Sequence, residues 1–238
     1  MKRFWTQAYA QPDGNTWRIL LDSRPMRLPQ GGSLVLRDAA LATAVAAEWQ
    51  NAGGAIGGAV RLDMLPLTCL AATAEQRIGP DPVPTINAIT RYGETDLLCY
   101  RADAPNALVM RQAALWQPWL DWAKQCFGAD LRVVTGITHV AQDAAALAAL
   151  RQAVAAQDVY QLTALGVTVP ALGSVVLGLA VAARVLPAAQ AVALSLLDDI
   201  YQAEFWGEDY EAIGRHAAMA RDVADAAQFA QITARAPG

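Results

Sequence analysis

Hydrophobic and polar positions follow two rhythms along this chain, and the change falls at a proline-rich stretch. Before it, "KRFWTQAYA" and "TWRILLD" concentrate aromatic and branched residues on either side of the turn signal Pro12-Asp13-Gly14, which predicts a pair of strands. "SRPMRLP" has a proline on each side of its second arginine and suits an edge strand or a turn. Asp38 then caps a predicted helix, "AALATAVAAEWQNAGG", closed by Gly53 and Gly54. After a glycine-rich spacer, "LPLTCLAATAEQRIG" predicts a second helix ending at Gly79.

"GPDPVPT" at 79–85 marks a domain boundary, with domains over 1–82 and 83–238. Beyond it the period is helical nearly throughout. "NALVMRQAALWQPWLDWAKQCFG" runs from a cap-competent Asn106 to Gly128, and Pro118 inside it predicts a kink or a division into two helices. A short extended piece, "LRVVTGI", precedes an Ala-rich helix from Asp143 to about Gln157. Two or three further helices come after it, one starting at Pro187. The expected fold class is α+β: a small mixed strand/helix N-terminal domain and a mainly α-helical C-terminal domain.

The apolar run 170–197 is the one membrane candidate, but Arg184 and Pro187 split it into pieces shorter than the roughly 20 residues a spanning helix needs. Two buried helices fit better. The first residues, "MKRFWTQAYA", lack the features of a secretory signal or a transit peptide. The composition, 55% hydrophobic and 17% charged over 238 residues, is that of a globular protein. A net charge of −4 with no Lys/Arg cluster gives no general attraction for nucleic acid or anionic lipid. Cys69, Cys99 and Cys126 form neither an even framework nor a C-x-x-C pair, which fits free thiols in a reducing compartment.

Most enzyme templates are missing. Dinucleotide, P-loop, zincin and nucleophile-elbow motifs are all lacking, and "GSVVLGLA" has no lysine to neutralise a phosphate. Neither His139 nor His216 has a partner at metal-ligand spacing. No cofactor and no metal are expected.

Two polar clusters remain. In "RYGETDLLCYRAD", 91–103, Glu94 and Asp96 offer a carboxylate pair and Cys99 a nucleophile. On a helix, however, Glu94 and Asp96 point about 200° apart and share no proton. Gly93 is a natural helix stop, Thr95 or Glu94 can cap the turn after it, and Arg91 and Arg101 are at hand for pairing, so the structural reading is the stronger one. In "LDDIYQAEFWGEDYEAIGR", 197–215, Asp198, Asp199, Gln202, Glu204, Glu208, Asp209 and Glu211 lie among Tyr201, Phe205, Trp206 and Tyr210. Asp199, Gln202 and Trp206 share one helix face. That cluster is either a solvated acidic helix end or a recognition surface with aromatic anchors in a charged rim.

The ordered segments "KRFW", "WRILLDSRPMRLP", "LATAVAAEW", "LPLTCLAATA", "YGETDLLCYRA", "LGSVVLGLA" and "DDIYQAEFWGED" resemble the Atp-twelve chaperones from about residue 3 to 215. The resemblance implies a non-enzymatic, ATP-independent assembly factor. It would bind the free alpha subunit of the F-type ATP synthase catalytic sector and shield its beta-facing surface. It implies partner-binding residues Asp198, Asp199, Gln202 and Trp206, and a structural signature of Trp49, Tyr92, Gly93, Glu94 and Asp96. The family's important acidic residue falls on Asp199, where many relatives carry the longer glutamate, so Asp198 and Asp199 both stay in play. A monomer is expected, in the bacterial cytoplasm, with the mitochondrial matrix the place of eukaryotic relatives. The alternative reading is an enzyme with an interdomain site using Glu94, Asp96 or Cys99.

Overall fold

The computed structural model describes residues 1–28, 31–207 and 210–234. The chain divides into two compact units. One comprises residues 1–82 with 159–163 and the C-terminal residues from Gln228; the other comprises 83–158 and 164–227.

The first unit is built around a hairpin. Strands β1 (Ala8–Asp13) and β2 (Thr16–Leu21) pair antiparallel from Ala8↔Leu21 to Asp13↔Thr16. The two-residue turn between them is therefore Gly14-Asn15, not Pro12-Asp13-Gly14 as expected. Gly14 sits at φ 61°, the left-handed backbone that tight hairpin turns demand and that glycine adopts without a steric penalty. The other edge of β2 takes two short strands, β3 (Arg24–Pro25) and β4 (Val35–Leu36). Pro25 lies on an edge strand, where its missing N–H leaves no ladder bond unmade.

Helix α1 (Ala39–Asn51) starts at Asp38, whose carboxylate accepts from the Leu41 N–H at 2.7 Å. Its buried residues Leu41, Val45 and Trp49 share a core with Trp5, Ile19 and Leu36. Two tryptophans are tied by their polar edges: Trp5 Nε1 donates to the Trp49 carbonyl at 3.1 Å, and Trp49 Nε1 to Thr68 Oγ1 at 2.9 Å. Helix α2 (Pro66–Thr73) opens with proline in its first turn and continues as a π-helical segment, Ala74–Ile78, to Gly79.

The second unit is helical. Helix α3 (Val83–Thr90) tightens into 3₁₀ turns over Arg91–Thr95 and Leu97–Cys99, leading into β5 (Tyr100–Arg101). Helix α4 (Asn106–Phe127) is a single 22-residue helix. Pro118 does not divide it, and its cap is Pro105 rather than Asn106, which is already helical. Gly128 closes it at φ 75°. Strand β6 (Val134–Thr135) pairs parallel with β5. Asp143 caps α5 (Ala144–Ala155), as its position implied.

Helices α6 (Val159–Leu172), α7 (Val175–Ala182) and α8 (Ala188–Ser195) carry the apolar run. Every residue of α7 from Val175 to Val181 is buried, as expected of a helix apolar on all sides. Among the described residues no helix is long and apolar enough to cross a membrane. Helices α9 (Leu197–Trp206) and α10 (Tyr210–Ile232) end the chain's order of elements. The observed fold is thus α+β, with strands early and helices after them.

Candidate functional site

In the stretch 91–103 the buried residues are Gly93, Asp96, Leu98, Cys99 and Arg101. Asp96 is completely buried, and its carboxylate accepts from three donors: Leu98 N–H at 3.1 Å, Ser174 Oγ at 3.0 Å and Val176 N–H at 3.2 Å. It therefore caps the Leu97–Cys99 turn and the start of α7 together. Ser174 adds its own cap, accepting from Leu177 N–H at 3.0 Å. The capping residue is Asp96, not Thr95 or Glu94. Burial pushes the Asp96 carboxyl up to about 6, against the downward pull of those hydrogen bonds. Cys99 is equally buried, and desolvation, helped by the nearby Asp96 charge, drives its thiol up to about 12. A thiol so protonated is a small hydrophobe at neutral pH, not a nucleophile.

The neighbouring signature residues separate by role. Gly93 has ordinary backbone angles and is needed for space: an added Cβ would lie 3.0 Å from Leu150 Cδ1 and 3.3 Å from Leu147 Cδ2. Tyr92 is half-buried. Glu94 is exposed, in a small surface cleft with Arg91 and Arg151, and does not meet Asp96. Among the described residues Arg101 pairs with no carboxylate. It donates to the carbonyls of Leu98 and Gln112, each at 2.8 Å, and its guanidinium lies 5.3 Å from the Trp116 ring centre. Trp49 is buried in the first unit. Glu48 beside it has a role that sequence reasoning missed: its carboxylate accepts from the N–H groups of Leu67 and Thr68, at 2.6 and 2.9 Å, capping α2 from 19 or 20 residues away.

The acidic-aromatic cluster lies on α9 and the start of α10, and here the side chains face solvent. Leu197 and Tyr201 point inward and anchor α9. Asp198 is half-buried and accepts from Gln112 Nε2 of α4 at 2.7 Å. Glu204 takes a bidentate pair from Arg111 of α4, at 2.6 and 3.1 Å, while that guanidinium sits 5.0 Å from the Tyr201 ring centre. Those two acids hold the helix in place. Asp199, Gln202 and Trp206 lie on the open face. The Asp199 side chain is 57% exposed, with Oδ2 3.0 Å from His216 Nε2 of α10. Trp206 is 88% exposed, Tyr210 91% and Phe205 66%. Glu208 and Asp209, grouped with this cluster in the sequence, lie outside the described residues. Among the described residues no group of His, Cys, Asp and Glu could hold a metal ion.

The class these features define is an α+β protein in which Gly93 and Asp96 of the polar signature are internal and in which Phe205 and Trp206 at the end of α9 and Tyr210 at the start of α10 are exposed. The profile of the family described as ATP12 chaperone protein matches residues 2–124. Atp12 from Paracoccus denitrificans is 40% identical, with 98% of each chain covered and a TM-score of 0.91. A mutant of P. denitrificans Atp12p, aspartate to lysine at one position, superposes at 39% identity and a TM-score of 0.90, again with 98% of each chain covered. A protein of Agrobacterium tumefaciens is 35% identical, covering 97% of this chain and 85% of that one, with a TM-score of 0.89. The chain belongs to the ATP12 chaperone family. The profile match contains the stretch 91–103 and ends before α9, whereas the solved relatives span almost the whole chain.

Proposed function

We propose that this chain is an ATP-independent assembly chaperone that binds the free alpha subunit of the F-type ATP synthase catalytic sector. It shields the beta-facing surface of that subunit until assembly. The observation that carries this reading is the exposed α9 face of Asp199, Gln202 and Trp206, with the rings of Phe205 and Tyr210 also open to solvent. An unassembled alpha subunit exposes a surface made for burial, which is an aggregation hazard. A chaperone covers it by ordinary binding, and the true partner displaces it by mass action, so neither nucleotide nor metal enters the cycle. Asp199 is the acidic residue assigned to the client, because it is the more open of the two: Asp198 is half-buried against Gln112, whereas Asp199 meets His216 at the surface with its side chain 57% exposed. The chaperone acts as a monomer in the cytoplasm, since self-association through this patch would cover it.

The test is co-expression with alpha and beta subunits, singly and together, followed by pull-down. The expected pattern is a soluble complex with alpha, none with beta, and release of the chaperone when both are present. Asp199→Lys weakens capture of alpha and leaves the circular dichroism spectrum unchanged. Trp206→Ala, at a position 88% exposed, raises Kd by roughly 30-fold or more if the ring is a binding anchor. Insoluble alpha in the presence of this protein sinks the proposal.

A further inference from the structure

The first unit contains a cleft of 1170 Å³ that the surface on α9 does not use. Its apolar wall is made by Leu28, Trp49, Val60 and Leu65, all buried, with Leu62 left 57% exposed at the mouth. The two hydroxyls inside are already engaged: Thr68 Oγ1 receives Trp49 Nε1, and Thr73 Oγ1 donates to the Cys69 carbonyl at 2.8 Å. The wall therefore offers hydrocarbon and few free hydrogen-bonding groups.

The rim is different. Arg27, Arg61 and Arg77 line the cleft, and among the described residues no carboxylate does. Arg61 is held by Asp63. Arg27 and Arg77 are exposed, and their side chains have no hydrogen-bond or ion-pair partner among the described residues. Arg77 and Gln76 reach the cleft from the π-helical segment Ala74–Ile78. Such a distortion of the α-helical ladder is often found at functional positions.

We infer that this cleft binds an acidic-apolar polypeptide segment: apolar side chains against the Trp49–Leu65 wall, flanking carboxylates on Arg27 and Arg77. Charge selects the occupant, because two unpaired guanidinium groups beside a carboxylate-free wall favour an anion. Size allows a peptide, since 1170 Å³ lies just above the roughly 300–1,000 Å³ typical of small-molecule sites. This inference goes beyond the alpha-subunit reading, which places the client on α9, and it does not depend on that reading.

The probe is a fluorescein-labelled nine-residue peptide of alternating leucine and glutamate, titrated with the whole protein and followed by anisotropy. Its lysine-for-glutamate counterpart is the control, and palmitate is the competitor for a lipid-like occupant. Saturable binding is expected for the glutamate peptide, weakening with added salt. The Arg27→Glu/Arg77→Glu double variant should weaken it at least about tenfold, since both side chains lose a charge-assisted contact and gain repulsion. Both positions are exposed, so the melting temperature should hold; if it falls, Leu62→Asp at the mouth provides the second variant. Absence of saturable binding, equal binding of the lysine peptide, or insensitivity to both variants overturns the inference. So does palmitate binding tighter than the peptide and expelling it. Because no client protein is used, failure here leaves the α9 proposal untouched.

Discussion

Replacing Asp96 with alanine removes one carboxylate and three hydrogen bonds at once. The donors left behind are the N–H groups of Leu98 and Val176 and the hydroxyl of Ser174, all in the interior of the second unit. A buried donor stripped of its partner costs about 1–3 kcal/mol, and a lost cap about 1 kcal/mol. Truncation also relieves the cost of burying the carboxylate itself, and Ser174 keeps its cap on Leu177, so the gross sum is not the net loss. The net destabilisation expected is about 2–4 kcal/mol. For a chain of this size each kcal/mol lowers Tm by roughly 2–4 °C, so the variant should melt about 5–15 °C below the parent. Thermal melts monitored by circular dichroism at 222 nm read this directly, with limited proteolysis near Leu97–Cys99 as the local probe. A shift below about 2 °C would refute the reasoning, because it would mean the three donors find other partners or the site was never closed to water.

The same carboxylate makes stability depend on pH. Its folded-state value, raised to about 6, stands above the ordinary 3.8, so between those values the folded protein holds a proton that the unfolded chain has released. Its contribution to stability is therefore fully present below 3.8 and declines as pH rises to about 6; Asp96→Asn should flatten that decline in urea titrations at several pH values. Gly178 of α7 has no room for a side chain, since a Cβ there would lie 2.4 Å from Val169 Cγ2. Gly178→Ala should cost about 1–3 kcal/mol of overpacking, partly offset by about 1 kcal/mol of helix propensity, and a Tm equal to the parent's would show that Val169 yields freely. With iodoacetamide at mildly alkaline pH, exposed Cys126 should be modified first and Cys99 only on unfolding, as read by peptide mass mapping; rapid labelling of Cys99 would revive a nucleophilic role.

Local chemistry was legible in the residues wherever one short segment decides the outcome. Asp38 and Asp143 announce helix starts because their carboxylates reach N–H groups two or three residues on. Gly128 announces a helix end because few other residues take φ 75°. The interruptions in the run at 170–197 argued against a membrane span, but of the two buried helices expected only α7 is buried, from Val175 to Val181; α8 leaves Ala189, Gln190 and Ala193 exposed. By the same logic the shared face of Asp199, Gln202 and Trp206 comes from helical spacing. The local failures also have a local cause. Pro12 and Asp13 are turn-formers by propensity, yet pairing with β2 holds them in the strand and leaves the turn to Gly14-Asn15.

Tertiary structure alone decided which polar residues are hardware and which are open. Asp96 meets Ser174 and Val176 across about 80 positions of chain, and no spacing rule connects them. Glu48 caps α2 and Asp198 takes Gln112 for the same reason: the acceptor and the donor come together only when helices pack. Asp198 and Asp199 are chemically identical and adjacent, so nothing in the sequence ranks them. One turns toward α4 and Gln112, while the other stays 57% exposed against His216 of α10. The sequence determined the kinds of groups and the helix that carries them. Packing, which satisfies some acids internally and leaves others to solvent, decided which of them a partner can reach.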